Sequence, residues 1–358
     1  MTGPLVIDGS HGEGGGQILR CSVAFSAMSG RPVRIEKIRA GRRKPGLAAQ
    51  HVTAIRAVAA TCGAGVAGAD LGSQSLTFAP EYPVQAGAYA FDVAEAREGG
   101  SAGAASLVLQ TVLLPLAMAA GESRVTVRGG THMAWSPSFD YLRDVWLPAL
   151  RPLGVAAELE LQAWGWFPIG KGCVQATIQG QGGRRLKHRM LDERGELLEV
   201  TGRAVAANLP AHIPQRMADR ARTMLGELDV PVRIAPERVR AACAGAGLFM
   251  TARYAHLNCG FSALGARGKP SEDVAGEAVT GLLAHWRSGA ALDQHLGDQI
   301  LTPLAVADGP SSFTVEAVSR HLETSAWLID CFGLARTTID IAEDGTGHVT
   351  VLPLEARV

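Results

Sequence analysis

The sequence predicts a mixed α/β (α+β) protein in which one supersecondary unit occurs three times and a smaller α/β domain is inserted before the third copy. Three observations support this fold class. The order helix, strand, helix, strand, strand recurs along the chain, a long segment interrupts that order once, and the composition is that of a packed protein, with 47% hydrophobic and 19% charged residues. A chain of 358 residues is also long for a single core.

The first two copies of the unit are recognised by their periodicity. Helical spacing over residues 17–28 and 47–61 flanks a strand at 33–38, and a hairpin follows at 65–69 and 75–78. The second copy has helices at 104–119 and 139–153, a strand at 124–128, and a hairpin at 156–161 and 172–178. Ser136 is predicted to cap its second helix, with Pro137 in the first helical position.

The third copy follows an interruption. Its predicted helices are 298–307 and 322–332, and its strands are 312–318, 336–341 and 348–351. Residues 182–283 break the order and are predicted to form the inserted domain, which leaves 1–181 and 284–358 as the large domain. Strands near 197–205, 232–234, 248–254 and 258–263 and helices near 214–228 and 238–243 are expected in the insertion. The recurrence predicts a pseudo-threefold arrangement of sheets with helices between them.

Charge and cysteine content restrict the possible partners. The 34 basic and 34 acidic residues give a formal net charge of zero, so only local patches such as 31–44 and 184–189 could meet a polyanion. The six cysteines lack CxxC spacing, which argues against a disulfide framework and predicts a reducing, cytoplasmic location. Neither a secretory signal nor an apolar run of membrane-spanning length is found, so no membrane association is expected.

A glycine-rich stretch from Asp8 to Arg20 carries the strongest local signal. Three consecutive glycines and the carboxylate of Glu13 precede an apolar helical pattern. Glycines and a helix N-terminus favour a bound phosphate, and Glu13 suits a hard divalent cation. The stretch matches neither the nucleotide P-loop nor the dinucleotide fingerprint, and a flexible structural turn is an equal alternative. The basic run at 31–44 is either a solvated face or part of this site.

The repeat predicts where this site is completed. Equivalent helices would begin near Gly16, Ala104 and Asp298, and near Pro45, Pro137 and Ser319. Positive helix N-termini that face one cleft form an anion pocket. The polar residues expected there are Glu13, Gln17, Arg20, Arg39, Arg42, Gln50, His51, Asp298, Gln299 and His321.

Two further residues have a structural and a functional interpretation. His321 lies where a strand gives way to a helix, so it is either a cap or a nucleophile, because a neutral imidazole is available at physiological pH. Gln110 interrupts an apolar helix face, and a buried amide needs partners. It either caps a neighbouring backbone group or reads a nucleotide.

Nearly the whole chain resembles the RNA 3′-terminal phosphate cyclases. The resemblance is carried by DGSHGEGGGQILR, RAGRRKPGLAAQH, SAGAASLVLQT, GGTHMAWSPSFDYL, GWFPIGKG, LGARGKPSEDVA, HLGDQ and SRHLETSAWLI. It implies three βαβαββ-type repeats of enolpyruvyl-transferase/cyclase-like architecture with a smaller inserted α/β domain. It also implies a ligase-type enzyme that converts an RNA 3′-phosphate into a 2′,3′-cyclic phosphate with ATP, through histidyl-AMP and RNA-adenylate intermediates.

The resemblance further assigns residues. His321 matches the histidine that ATP adenylylates, and Glu13 matches the carboxylate at a divalent cation, Mg²⁺ or Mn²⁺. The ATP-binding positions correspond to Gln110, His295, Leu296, Gly297, Asp298 and Gln299. The positions around the phosphates and the RNA end correspond to Arg20, Arg39, Arg42, Gln50 and His51. The implied partners are ATP and RNA 3′-phosphate ends, and a homodimer is left open.

One loop departs from the family. Trp164 precedes Gly165, and Gly170-Lys171-Gly172 replaces three glycines; a positive φ at Lys171 would cost about 1 kcal/mol. Two alternatives compete with the cyclase. A catalytically silent cyclase-like factor for RNA or ribosome assembly would lack the nucleophile, whereas His321 is present. An enolpyruvyl transferase would use about twice as many repeats as the three found here.

Overall fold

The computed structural model describes residues 3–98 and 100–354. The first repeat is built from β1 (Leu5–Asp8), α1 (Gly16–Ser29), β2 (Val33–Glu36), α2 (Ala49–Cys62), β3 (Gly65–Ala67) and β4 (Leu76–Ala79). Its four-stranded sheet has the order β1-β2-β4-β3, with β1 parallel to β2 and the other neighbours antiparallel. This is a βαβαββ unit.

The second repeat has the same topology. It comprises β5 (Ala88–Asp92), α3 (Ala105–Met118), β6 (Ala120–Gly129), β7 (Ala156–Ala163) and β8 (Gly172–Gln181) in the order β5-β6-β8-β7. Its second helix is irregular: α4 (Phe139–Tyr141) passes through a π-helical turn (Leu142–Trp146) into α5 (Leu147–Leu150) and a 3₁₀ turn (Arg151–Leu153). Ser138, and not the predicted Ser136, caps this helix by accepting the Tyr141 N–H at 3.1 Å. Pro137 therefore precedes the helix.

The third repeat begins earlier than the sequence predicts. Its leading strand, β9 (Met190–Leu191), lies parallel to β14 (Ser311–Val315). The rest follows much later as α8 (Gln294–Leu304), α9 (Arg320–Phe332), β15 (Ala335–Ile341) and β16 (Gly347–Pro353), in the sheet order β15-β16-β14-β9. The extra sheet thus interrupts the third repeat after its first strand. The three equivalent sheets confirm the predicted fold class, while the domain boundaries at 182 and 283 stay a prediction.

The inserted segment forms a fourth sheet. Its elements are β10 (Leu197–Ala207), α6 (His212–Met224), β11 (Val232–Val239), β12 (Gly245–Tyr254), β13 (Asn258–Leu264) and α7 (Ser271–Ser288), with the sheet order β11-β10-β12-β13. The predicted helix at 238–243 is wrong, because β11 continues to Val239, which pairs with Ala207 of β10. Helix α7 was not predicted.

Two hydrophobic cores correspond to this division. The main core lies between the three repeat sheets and their helices, and it includes Phe25, Ile55, Leu113 and Phe313, none more than 1% exposed. Helices α6 and α7 cover one face of the fourth sheet and enclose a second core with Met217, Leu248 and Leu282. Within the described ranges, helices long and apolar enough to cross a membrane are not found.

Candidate active site

The glycine-rich stretch forms a tight loop between β1 and the start of α1. Gly12 has a φ of 56°, and a side chain there would collide with the hydroxyl of Thr324 on α9. The backbone N–H of Glu13 donates to that same hydroxyl at 3.0 Å. Glycine at this position therefore lets the loop close against α9, which brings Glu13 beside the first turn of that helix.

His321 lies in this first turn. Ser319 caps α9 by accepting the Leu322 N–H at 3.0 Å, and His321 places Nδ1 3.8 Å from Oε2 of Glu13. Both atoms are buried and have no hydrogen-bond partner among the described residues. The pKa of His321 is lowered by burial and then by the positive charges of Arg20, Arg42 and His295. The imidazole is therefore neutral at physiological pH.

Glu13 is held by the side chain of Arg42, in addition to its backbone contact with Thr324 on α9. The guanidinium of Arg42 forms an ion pair with its carboxylate and also donates to its backbone oxygen at 3.2 Å. Groups of three or more His, Cys, Asp or Glu that could hold a metal ion are not found among residues 3–98 and 100–354. Any cation at Glu13 would therefore need most of its ligands from a substrate and from water.

His51 completes the surroundings of the α1 N-terminus. Its ring is 3% exposed, and Nδ1 accepts the Ala48 N–H at 3.0 Å. Burial, followed by the charges of Arg20 and Arg39, lowers its pKa to about 3. The neutral ring then carries its proton on Nε2, which lies beside Gly16 and the Arg20 guanidinium. Helix N–H groups, a cation and an imidazole N–H meet here, as an anion site requires.

Two residues of the predicted phosphate group, Arg39 and Gln50, make contacts to backbone groups. Arg39 has a φ of 53° and donates to the carbonyl of Gly46 at 2.6 Å, which braces the basic loop. Gln50 accepts the Ala104 N–H at 3.0 Å, at the start of α3. The Gln50 contact joins the first repeat to the second, whereas the Arg39 contact lies within the first repeat.

A cleft of about 1720 Å³ opens between the repeats and the inserted segment. Its walls include Gln17, Arg20, Gln110, His295, Asp298, Gln299 and His321 from the repeats. Gln110 of α3 donates to Oε1 of Gln299 on α8 at 2.5 Å, so the amide that interrupts the apolar helix has a partner. Leu296 is fully buried and Gly297 packs against Val315, and these two residues of α8 are not among those that line the cleft.

Helix α8 begins four residues before its predicted start, because Asp293 caps it. Its Oδ1 accepts the N–H groups of His295 and Leu296 at 3.0 and 2.9 Å and the Tyr141 hydroxyl at 2.8 Å. Its Oδ2 accepts the Gly260 N–H at 3.1 Å. One carboxylate thereby joins the second repeat, the fourth sheet and α8.

Burial raises the pKa of Asp298 to about 7, although the Ser319 hydroxyl donates to it.

The loop that departs from the family lies at the junction with the inserted segment. Trp164 stacks on His132 with ring centroids 4.4 Å apart, and the guanidinium of Arg203 on β10 lies 5.1 Å from the Trp164 ring. His132 contacts Asp140 at 2.8 Å, and Asp140 also accepts from Arg203 at 3.2 Å. Lys171 has a φ of 55°, so a side chain at this position carries the backbone cost of a positive φ that glycine would avoid.

Sequence reasoning missed several residues of the site. Thr324 and Ser325 bind the Glu13 backbone and the Gln17 amide, the latter at 2.5 Å. They lie three and four positions after His321, so helical spacing could have identified them. The cleft walls contributed by the inserted segment, among them His212, Arg216, Arg267 and Lys269, carry no signal that sequence spacing could connect to His321.

Comparison with known proteins identifies relatives over nearly the whole chain. Residues 11–339 match the family model described as RNA 3′-terminal phosphate cyclase. A protein of that name from Methylococcus capsulatus is 59% identical over 97% of this chain and 96% of its own length. Others from Gloeothece citriformis and Nostoc punctiforme are each 50% identical over 95% of this chain and cover 96% and 97% of those proteins.

Among solved structures, the enolpyruvyl transferase NikO from Streptomyces tendae overlaps 99% of this chain and 66% of that protein. The identity is 12% and the TM-score is 0.22. An overlap of this quality does not bear on the fold, which rests on the three equivalent sheets described above.

Proposed function

Because the chain belongs to the RNA 3′-terminal phosphate cyclase family, we propose that it converts RNA 3′-terminal phosphates into 2′,3′-cyclic phosphates with ATP, using His321 as the nucleophile. The observation that carries this proposal is the state of the His321 ring. Its Nδ1 is buried against Glu13, its pKa is lowered, and its side chain is 45% exposed in the wall of a large cleft. Nε2 is the ring nitrogen left to react.

In the first proposed step, Nε2 of His321 attacks the α-phosphorus of ATP. A P–N bond forms, the bond between the α-phosphorus and its bridging oxygen breaks, and pyrophosphate leaves. The lowered pKa supports this role, because only the neutral imidazole has a free lone pair. The carboxylate of Glu13, 3.8 Å from Nδ1, stabilises the positive charge that develops on the ring during the attack.

The adenylate then moves to the RNA. An oxygen of the terminal 3′-phosphate attacks the adenylate phosphorus, the P–N bond breaks, and the neutral imidazole of His321 is restored. The adjacent 2′-hydroxyl finally attacks the RNA phosphorus, loses its proton to solvent, and expels AMP. Nucleophile and phosphorus share one ribose in this last step, so orientation supplies most of the rate.

The phosphate groups are proposed to lie at the N-terminus of α1. Arg20 and the Nε2 proton of His51 both face Gly16, and the first N–H groups of α1 have no side-chain cap. An anion at this point would be close to His321, because Gln17 in the same turn donates to the His321 carbonyl at 3.5 Å. Gln110, His295, Asp298 and Gln299 remain our candidates for holding the nucleotide.

A divalent cation, Mg²⁺ or Mn²⁺, fits Glu13 in one respect. Oε2 is buried without a hydrogen-bond partner among the described residues, and a hard cation commonly takes one protein carboxylate together with substrate phosphates and water. Such an ion would neutralise phosphate charge when bound. A cytoplasmic location stays a prediction from the sequence, and a homodimer stays open.

The decisive experiment is to incubate the protein with ATP labelled at the α-phosphate. We expect acid-labile, alkali-stable label on the protein, as a phosphoramidate requires, and none on His321→Ala. His256→Ala is the matched control, because His256 is exposed and lies outside the cleft. Wild type that cyclises a 3′-phosphorylated oligonucleotide without ever carrying label would refute the histidyl intermediate. Wild type that binds RNA but neither labels nor cyclises would instead identify a catalytically silent binding factor.

A further inference from the structure

Two large aromatic side chains are exposed in the cleft that contains His321. Trp135 is 98% exposed and Phe167 is 73% exposed, and both belong to the cleft wall. Single exposed apolar residues are common, but these two come from separate loops of the second repeat and contribute to the same cavity. The proposed chemistry at His321 uses neither of them.

The loop of Trp135 holds this residue in an uncommon conformation. Its φ is 64°, a value that bulky residues rarely adopt. The loop is anchored on both sides, by Thr131 and His132, each 1% exposed, and by the capping residue Ser138. A rigid frame therefore presents the indole to the cleft. Strain of this kind is concentrated at ligand sites.

Phe167 is presented in a similar manner. The preceding residue, Trp166, is 3% exposed, and its carbonyl accepts the Gly170 N–H at 2.7 Å, which closes the loop. The Phe167 ring thus projects from a short, anchored turn.

The inserted segment adds positive charge to the same cleft. Arg216 and Lys269 are paired with Glu272 and Glu277, whereas Arg267 is exposed and has no ion pair within residues 3–98 and 100–354. Its charge is available to a ligand. Exposed aromatic faces together with free cationic groups are the combination that binds single-stranded nucleic acid, whose bases stack while its phosphates are neutralised.

We propose that Trp135 and Phe167 form a stacking platform for the unpaired bases that precede the 3′-terminal nucleotide, with Arg267 contacting the backbone of the same strand. This inference rests on the proposed function, since it takes the RNA 3′ end to be at His321. It assigns the enzyme a preference for single-stranded ends of several nucleotides, because a base within a duplex cannot stack on a side chain.

The test is direct binding, measured by fluorescence anisotropy without ATP, so that it does not depend on catalysis. The probes are a 3′-phosphorylated octaribonucleotide, the same strand with abasic residues before the terminal nucleotide, and a 3′-phosphorylated dinucleotide as competitor. Trp135→Ala is expected to raise Kd for the intact octanucleotide by ~5- to ~30-fold, in line with the loss of one stacked base. On the abasic strand the same substitution should have less than about a twofold effect.

Two variants act as controls. Trp135→Tyr keeps an aromatic face and should retain most of the affinity. Trp286→Ala removes another exposed indole, 38% exposed on α7 and outside the cleft, and should bind like wild type. Because Trp135 is almost fully exposed, its truncation leaves the core intact, which thermal unfolding will verify.

The inference is wrong if Trp135→Ala and wild type bind the intact octanucleotide equally, or if both strands lose affinity to the same extent. It is also wrong if the substitution alters sedimentation and leaves RNA affinity unchanged, since the indole would then contact a second copy of the chain. Labelling by ATP and cyclisation are measured separately. Their absence in wild type would refute the proposed function, and equal Kd values in an active enzyme would refute only the stacking platform.

Discussion

The buried imidazole of His51 predicts an acid-sensitive fold. Its pKa is about 3 in the folded protein, whereas an unfolded chain has an ordinary histidine pKa of about 6.5. As the pH falls below 6.5, His51 therefore becomes protonated in the unfolded chain but stays neutral in the folded protein. Stability is fully present above the unfolded pKa and is lost progressively as the pH falls towards the folded pKa.

The expected size follows from the two values. Between pH 7 and pH 5 this single group should lower the free energy of unfolding by about 2 kcal/mol. Nearly all of that difference comes from protonation of the unfolded chain. His51 is 3% exposed, so screening by solvent reduces the effect little.

The perturbation that isolates this contribution is His51→Asn. The asparagine oxygen can replace Nδ1 as acceptor for the Ala48 N–H but does not titrate. Urea unfolding is measured for both proteins at pH 5, 6 and 7, and the readout is the difference between them. Asp298, with a raised pKa of about 7, changes stability in the opposite direction with pH, but it is common to both proteins and cancels.

The variant should be less stable than wild type at pH 7. The difference between the two free energies of unfolding should be smaller by about 2 kcal/mol at pH 5. A gap that stays constant with pH would refute the reasoning, since His51 would then be protonated in the folded state. In that case its Nδ1 could not accept from Ala48.

Three other substitutions have clear expectations. Asp293→Ala removes a helix cap and leaves the Tyr141 hydroxyl and the Gly260 N–H without an acceptor. Chemical unfolding should therefore show a free energy of unfolding that is lower by about 3–5 kcal/mol, and Asp293→Asn should lose less. Lys171→Gly relieves a positive φ and should stabilise by roughly 0.5–1 kcal/mol, whereas Lys171→Val should destabilise; equal melting temperatures would contradict this. Gln110→Ala, which frees Gln299, should raise KM for ATP about tenfold with kcat nearly unchanged, and a fall in kcat alone would exclude a role in ATP binding.

Periodicity identified most of the long elements of the fold but missed the 18-residue helix α7, and it failed for the short leading strands. Helices such as α1 and α3 have continuous apolar faces that bury in the main core, so the local pattern reports on the tertiary environment. The leading strands β1, β5 and β9 have two to five residues each. Runs this short have little periodicity of their own and become strands only because β2, β6 and β14 offer a parallel partner.

Some features of the site can be predicted from the sequence, and others exist only in the folded structure. The glycine loop, the basic run and the cap before His321 are local features, because residue type within a few positions determines backbone conformation and charge. The approach of Nδ1 of His321 to Glu13 and the pairing of Gln110 with Gln299 join residues far apart in the chain. Such contacts exist only because the helices of different repeats pack against one another, and burial among them is what makes the imidazoles of His51 and His321 neutral.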